Sequence, residues 1–224
     1  MPILLAIDCS SDICSVALAY DDTIRELCSD TARQHARETL PMVQQLLDEA
    51  GLQLSSLDAI AITQGPGSFT GLRIGVAVAQ GLAFAHNTPV IPVSSLATMA
   101  LIAHRQHAAA LMQIALKARD NEVYWATYRQ DGQGVELLGH EQVLAIDSLA
   151  PDFNAGERWF AVGNGWEEGS DLRLRVLSHA AAWLPTIESR ASALAALALR
   201  ELARGNTVAA ENALPVYLKE QEYK

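Results

Sequence analysis

The feature that most constrains the fold lies between residues 57 and 93. A strand-like apolar run at Leu57–Thr63 precedes the glycine-rich segment Gly65–Thr70. A helical segment follows at Gly71–Ala85, and a second apolar run at Val90–Val93 ends the pattern. Strand, helix and strand in this order form a βαβ unit with parallel strands, because the crossover returns the chain to the same end of the sheet. The pattern therefore predicts an α/β fold.

The N-terminal segment adds antiparallel strands to that unit. Three short runs, Ile3–Ile7, Ile13–Tyr20 and Thr23–Cys28, are typical of strands joined by tight turns. A meander combined with a crossover predicts mixed sheets flanked by helices. The helix expected over residues 34–50 contains Pro41, so its regular part should begin near that residue or bend there.

The second half of the chain repeats the α/β pattern less clearly. It contains a hairpin of Met112–Lys117 with Val123–Arg129 around Asp120, and further strand candidates at 135–138 and 159–162, before an alanine-rich helix at 191–204. We place the boundary after residue 103, giving one lobe over 1–103 and a second over 104–224. The C-terminal segment of the second lobe is then able to pack back on the first.

Charge and composition restrict the classes of function. The chain carries 16 Lys and Arg against 26 Asp and Glu, a net charge of -10, which disfavours direct binding to a phosphate backbone. Cys9, Cys14 and Cys28 show neither metal-ligand spacing nor an even count, which indicates free thiols in a reducing cytoplasm. No signal segment or run of about 20 apolar residues predicts export or a membrane anchor.

The segment Gly65–Gly75 permits two interpretations. A glycine-rich turn at a helix N-terminus presents backbone N–H groups that can bind an anion such as phosphate. The segment is not a P-loop, because it has no lysine. The alternative is structural: the glycines allow a tight turn, and Ser68 or Thr70 caps the following helix.

Small residues recur along that helix in two rows. Gly71, Gly75 and Ala79 form one row, and Ala77, Gly81 and Ala85 form a second. Glycine inside a helix costs about 1 kcal/mol relative to alanine, so it requires a close approach by another element. That element is either the protein's own sheet or a second subunit. On the second hypothesis, the candidate interface residues are His35, Leu40, Val43, Leu47, Gly71, Arg73, Gly75 and Ala79.

Several motifs together resemble the TsaB (YeaZ) family of tRNA threonylcarbamoyladenosine biosynthesis proteins, formerly grouped with glycoproteases. They are GPGSFTGLRIG, the N-terminal LLAIDCSSDICSVAL, the segment QHARETLPMVQQLL and the C-terminal LPVYL. The resemblance covers essentially the whole chain, although its most specific motifs lie in the first 100 residues. It implies the actin-like (ribonuclease H-like) fold of the ATPase superfamily, with two lobes of mixed sheets and helices.

The resemblance also implies a site that has lost its catalytic groups. Asp8, Ser10 and Ser11 occupy the position of the superfamily's first phosphate-binding turn, but without its glycines and lysine, so they form at most a weak nucleotide site. The metal-binding histidines of the catalytic paralogue TsaD fall on Ser95 and Met99, which are not ligands for such a metal. The nucleotide-binding turn of TsaD falls on residues 117–120 of this chain. No intrinsic cofactor is expected, and ATP or ADP is expected only in a complex.

The function implied is that of a scaffold and not of an enzyme. Proteins of this family pair with TsaD, form homodimers when alone, enable recruitment of the ATPase TsaE, and meet tRNA only through the complex. Two other classes are the alternatives: a glycoprotease-like metallohydrolase or small-molecule kinase, and a direct tRNA-binding module. His104 and His107 could form a metal pair on a helix, although no third ligand is evident and a solvated helix end is the simpler explanation.

Overall fold

The computed structural model describes residues 1–29, 31, 34–119, 121–145, 157–167 and 178–218. The chain divides into two units, one of residues 1–98 with 189–216, and one of residues 99–188 with 217–224. The structural boundary thus lies after residue 98, whereas the sequence suggested 103, and the segment 189–216 belongs to the first unit. Among the described residues, no helix is both long and apolar enough to cross a bilayer.

The first unit is built on a five-stranded mixed sheet in the order β3-β2-β1-β4-β5. Its strands are β1 (Leu4–Asp8), β2 (Ser15–Tyr20), β3 (Thr23–Cys28), β4 (Ala59–Gly65) and β5 (Val90–Ser94). β1, β2 and β3 form an antiparallel meander, and β1, β4 and β5 run parallel. The predicted meander and βαβ unit are therefore confirmed.

The second unit has a sheet with the equivalent strand order, β10-β9-β6-β7-β8. Its strands are β6 (Leu111–Lys117), β7 (Glu122–Gln130), β8 (Val135–Ala145), β9 (Phe160–Val162) and β10 (Ala182–Leu184). In both units the first strand lies at the centre, antiparallel to the second and parallel to the fourth. β8 is longer than predicted, and Asp120 of the predicted turn lies outside the described residues.

In the described part of the chain, four long helices accompany the sheets: α1 (His35–Ala50), α2 (Phe69–His86), α3 (Ser95–His107) and α4 (Ala191–Ala203). The regular part of α1 begins at His35, so the alternative of a start near Pro41 is wrong, whereas a bend at Pro41 stays a prediction. Pro41 cannot donate to the carbonyl of Arg37, one turn earlier. Both residues are exposed, so water can satisfy that carbonyl and the helix continues.

The central strand β1 is buried on both faces of its sheet. Leu5 and Ile7 pack in the apolar core that includes residues of α1 and α2. Leu4 and Ala6 alternate with them and lie on the opposite face, where α4 packs on β1 and β2. That second face is lined by small side chains, including Ala61 of β4, so the alanine-rich α4 can approach closely. This double burial explains the uninterrupted apolar run in the sequence.

The close fit of α4 on the sheet generates a test. Ala61→Leu should lower the free energy of unfolding by about 1–3 kcal/mol, because Ala61 is fully buried and the added methyl groups overpack this layer. Ala36→Leu on the exposed side of α1 is the control and should change it by less than about 0.5 kcal/mol. Urea unfolding of both variants measures the difference, and equal stabilities would contradict the packing described.

Candidate functional site

The turn after β1 is organised around the buried carboxylate of Asp8. One oxygen, Oδ1, accepts hydrogen bonds from the backbone N–H of Ser10 at 2.9 Å, the Ser10 hydroxyl at 2.7 Å and the Thr63 hydroxyl at 3.0 Å. The other, Oδ2, accepts from the hydroxyl of Ser189, which also contacts Thr98. Donors from the protein's own strands and loops therefore surround the carboxylate, which is 1% exposed.

This arrangement shows where the predicted nucleotide-binding residues lie. Asp8 and Ser10 are together, but their side chains bond to each other. Ser11 points elsewhere, because its hydroxyl donates to the carbonyl of Ile13 at 3.0 Å and closes the turn. The three side chains thus stabilise the turn between β1 and β2.

The glycine-rich segment contacts the same turn through its backbone. The Ser68 N–H donates to the Ser10 carbonyl at 2.8 Å. Ser68 caps α2, since its hydroxyl accepts from the N–H of Gly71 at 3.2 Å, as the sequence predicted. A Cβ atom at Gly67 would collide with the Ser10 carbonyl, and one at Gly71 with the Cys9 carbonyl. These two glycines are therefore explained by close contact with the protein's own backbone.

The first small-residue row of α2 faces inward. Gly71, Gly75 and Ala79 are buried, and a Cβ at Gly75 would lie 3.3 Å from the Cβ of Cys9. The inward position of Gly71, Gly75 and Ala79 corrects the hypothesis that these three form a contact surface with a partner. Val43 and Leu47 of α1 belong to the same core but also line a groove at its surface.

The other three predicted interface residues occupy different environments. His35 is 5% exposed, and its Nε2 lies 2.8 Å from the carbonyl oxygen of Ser11, which connects α1 to the turn after β1. Leu40 is half exposed. Arg73 is on the surface, with its guanidinium 3.7 Å from the centre of the Phe69 ring. Leu40 and Arg73 are thus the exposed members of the set.

The second row of small residues lies on the exposed side of α2. Ala77 and Gly81 are exposed there, beside Phe84, whose side chain is 78% exposed, and Phe69, which is 56% exposed. A Cβ at Gly81 would meet no atom of the described residues within 4 Å. The helix therefore carries a glycine that costs about 1 kcal/mol without an observed contact in this chain that requires it. We define the outer face of α2 as Phe69, Arg73, Ala77, Gly81 and Phe84.

A groove lies along α1 beside α2. Its volume is about 600 Å³, and it is lined mainly by aliphatic side chains, among them Leu40, Val43, Leu47, Leu52 and Leu82. Leu40 is exposed at this groove, although leucine is usually buried. The sequence named Leu40 but missed Leu82, because the helical period of α2 does not show which side meets solvent.

The positions of the expected metal ligands are used for packing. Ser95 is buried, and its hydroxyl donates to the carbonyl of Pro66. Met99 is 2% exposed. His104 has one ring nitrogen, Nδ1, 2.9 Å from the carbonyl of Ala109 at the end of α3. The backbone N–H of Lys117 donates to the side-chain oxygen of Asn164 at 3.0 Å, which supports the end of β6.

Comparisons with known proteins agree with this architecture. The family model described as TsaD, tRNA N6-adenosine threonylcarbamoyltransferase, matches residues 28–222. The Escherichia coli tRNA threonylcarbamoyladenosine biosynthesis protein TsaB is 40% identical, over 96% of this chain and 94% of its own length, and its Haemophilus influenzae counterpart is 37% identical over 97% and 94%. The chain belongs to the TsaB family.

Solved structures support the assignment of this chain to the TsaB family. A Pseudomonas aeruginosa protein described as similar to peptidase YeaZ is 42% identical, superposes with a TM-score of 0.91, and covers 98% of this chain and 100% of its own. A second P. aeruginosa structure, of YeaZ, gives a TM-score of 0.89. The actin-like (ribonuclease H-like) fold is thereby confirmed for this TsaB-family chain.

The two glycine environments of α2 in this TsaB-family protein give a matched test. Gly71→Ala should lower the free energy of unfolding by more than about 2 kcal/mol, since its methyl group collides with the Cys9 carbonyl. Gly81→Ala should raise it by up to about 1 kcal/mol, because alanine is the better helix former and the space is open. Thermal unfolding of each variant measures both effects. Similar losses from both substitutions would contradict the assignment of inner and outer rows.

Proposed function

We propose that the chain is a non-catalytic subunit in the biosynthesis of tRNA threonylcarbamoyladenosine, and that it works in the cytoplasm by pairing with a TsaD-type transferase. The names of its relatives support the pathway. The observation that carries the pairing is Gly81, an exposed helical glycine with open space around it. Such a position permits another helix to approach α2 closely.

The environment of Asp8 supports the non-catalytic part of the proposal. An acid that holds a metal ion or takes a proton needs an oxygen that the reacting group can reach. Both oxygens of Asp8 accept hydrogen bonds from this chain, and the side chain is buried. In the described residues, no group of three or more His, Cys, Asp or Glu side chains is arranged to hold a metal ion. We infer that the carboxylate serves the fold and that this subunit alone provides no site for ATP or ADP at Asp8.

The outer face of α2 and the adjacent groove support the partner-binding part. The face combines two exposed phenylalanines with a flat surface at Ala77 and Gly81, and aromatic side chains are frequent anchors of interfaces. Leu40 and Leu82 extend the apolar surface into the groove. In the absence of the transferase, the same face pairs with its copy in a homodimer, as self-complementary helical surfaces can.

The way in which tRNA and the ATPase TsaE meet the complex follows from this pairing. With a net charge of -10, the chain contributes little attraction for a phosphate backbone, so tRNA contacts the complex through the transferase. The ATPase TsaE is recruited by the assembled pair and not by either subunit alone.

Gly81→Leu tests the partner-binding face without disturbing the fold. The larger side chain has room in the isolated chain, so thermal stability should be unchanged or higher. It prevents close helix approach in a complex and should weaken binding to the TsaD-type subunit by at least about tenfold, or about 1.4 kcal/mol. Titration calorimetry measures the affinity.

Ala203→Leu is the control for that experiment, because Ala203 is also exposed on a helix of the first unit but lies at the end of α4, away from the outer face of α2. It should bind the transferase like the original protein. Equal affinities for all three proteins would exclude the outer face of α2 as the interface.

Asp8→Asn tests whether the acid has a chemical role. The amide keeps the shape of the side chain but disturbs its hydrogen bonds, so we expect a loss of about 1–3 kcal/mol of stability. The reconstituted modification of tRNA, measured below the unfolding temperature with this subunit in excess, should keep its rate. A loss of about 100-fold or more in a variant that remains folded and bound to its partner would show that Asp8 acts in catalysis.

A further inference from the structure

Cys9 and Cys14 form a buried pair of thiols at the point where the turn after β1 meets both α1 and α2. Asp8 pairs with Ser15 in the antiparallel ladder of β1 and β2, so the next residues along each strand, Cys9 and Cys14, lie opposite each other. Their sulfur atoms are 3.6 Å apart, and both residues are 1% exposed. Free thiols at this separation need only a small local movement to join.

We propose that Cys9 and Cys14 form a reversible disulfide when a small peroxide reaches them, and that the disulfide weakens the partner-binding face. Burial excludes bulky oxidants such as glutathione disulfide, whereas hydrogen peroxide is close to water in size. The bond encloses a short loop, so through chain entropy it stabilises the fold less than a crosslink between distant residues would.

The hydrogen bond that the Cys9 thiol donates to the sulfur of Cys14 gives each thiol a role in the proposed reaction. The hydrogen bond from the Cys9 thiol lowers the pKa of Cys14, although burial opposes this effect. The same hydrogen bond and burial raise the pKa of Cys9. Cys14 is therefore the attacking thiolate, and Cys9 keeps its proton until the second step.

The reaction balances with hydrogen peroxide as the oxidant. The Cys14 thiolate attacks one peroxide oxygen, an S–O bond forms as the O–O bond breaks, and hydroxide leaves to be protonated to water. The sulfur of Cys9 then attacks that of Cys14, the S–S bond forms, and the sulfenic oxygen departs as a second water with the Cys9 proton. A small dithiol reductant reverses the change.

The pair touches both helices that flank the groove. Thr39 of α1 lies with its hydroxyl oxygen 3.2 Å from the sulfur of Cys14 and 3.7 Å from that of Cys9. On α2, Gly71 and Gly75 pack directly against Cys9. Drawing the sulfurs together shifts these contacts, and with them the positions of α1 and α2. This consequence rests on the proposed function, whereas formation of the disulfide does not.

The sequence makes the disulfide simple to detect in the full-length protein. Trypsin releases residues 1–25, which hold Cys9 and Cys14, separately from residues 26–33, which hold Cys28. After treatment with hydrogen peroxide, the first peptide should lose two hydrogen atoms and resist alkylation until it is reduced. Glutathione disulfide, added with the same number of oxidising equivalents as the peroxide, should leave the Cys9 and Cys14 thiols available for alkylation.

Variants in a Cys28→Ser background complete the test, since Cys28 is exposed and lies outside the pair. Cys14→Ser should abolish the internal crosslink. Two alkylated thiols in residues 1–25 after peroxide treatment, or a crosslink to Cys28 in the original protein, would overturn the inference. So would glutathionylation of either buried thiol.

The oxidised and reduced forms of Cys28→Ser are then compared for binding to the TsaD-type subunit, and oxidation should weaken binding at least severalfold. A mapped disulfide with unchanged affinity would overturn the coupling to the helices. Absence of binding in the reduced form would instead count against the proposed function.

Discussion

The first unit depends on a backbone contact between the glycine-rich segment and the turn after β1. The carbonyl groups of Cys9 and Ser10 approach residues 67–71 so closely that a single methyl group at Gly67 or Gly71 would collide with them. The contact places the N-terminus of α2 against the end of β1 and directs the helix along the core face of the sheet. Without side chains at these glycines, the approach is limited only by the backbones.

On the opposite face of the sheet, the carboxylate of Asp8 links segments that are distant in sequence. It joins the turn after β1 to Thr63 of β4 and to Ser189, just before α4. A buried carboxylate needs compensation for the water it loses, and here hydroxyl and amide groups provide it. Both oxygens of this side chain are thus engaged by groups of the first unit.

The sequence predicted β1, β2, β4 and β5 because they are apolar, and the central β1 is buried on both faces. The exposed β3 was predicted from the turn that precedes it. The sequence did not predict β10, where three partly buried residues leave no periodic signal. For α1, the alternative of a regular part that starts near Pro41 was wrong, because exposure at Arg37 allows water to replace the donor that the proline lacks. These errors arise from tertiary context, which local propensity does not contain.

At the candidate site, too, the sequence shows the spacing of residues but not which of them are buried in the folded protein. Two rows of small residues run along α2 at equivalent spacings, and a single sequence does not state which row meets the sheet. The structure places Gly71 and Gly75 against Cys9 and leaves Gly81 exposed. The inner glycines are explained by contacts within the chain, whereas the outer one lies beside an exposed phenylalanine and an apolar groove. Because stability alone would favour alanine at Gly81, this glycine is the observation on which the proposed partner-binding face rests.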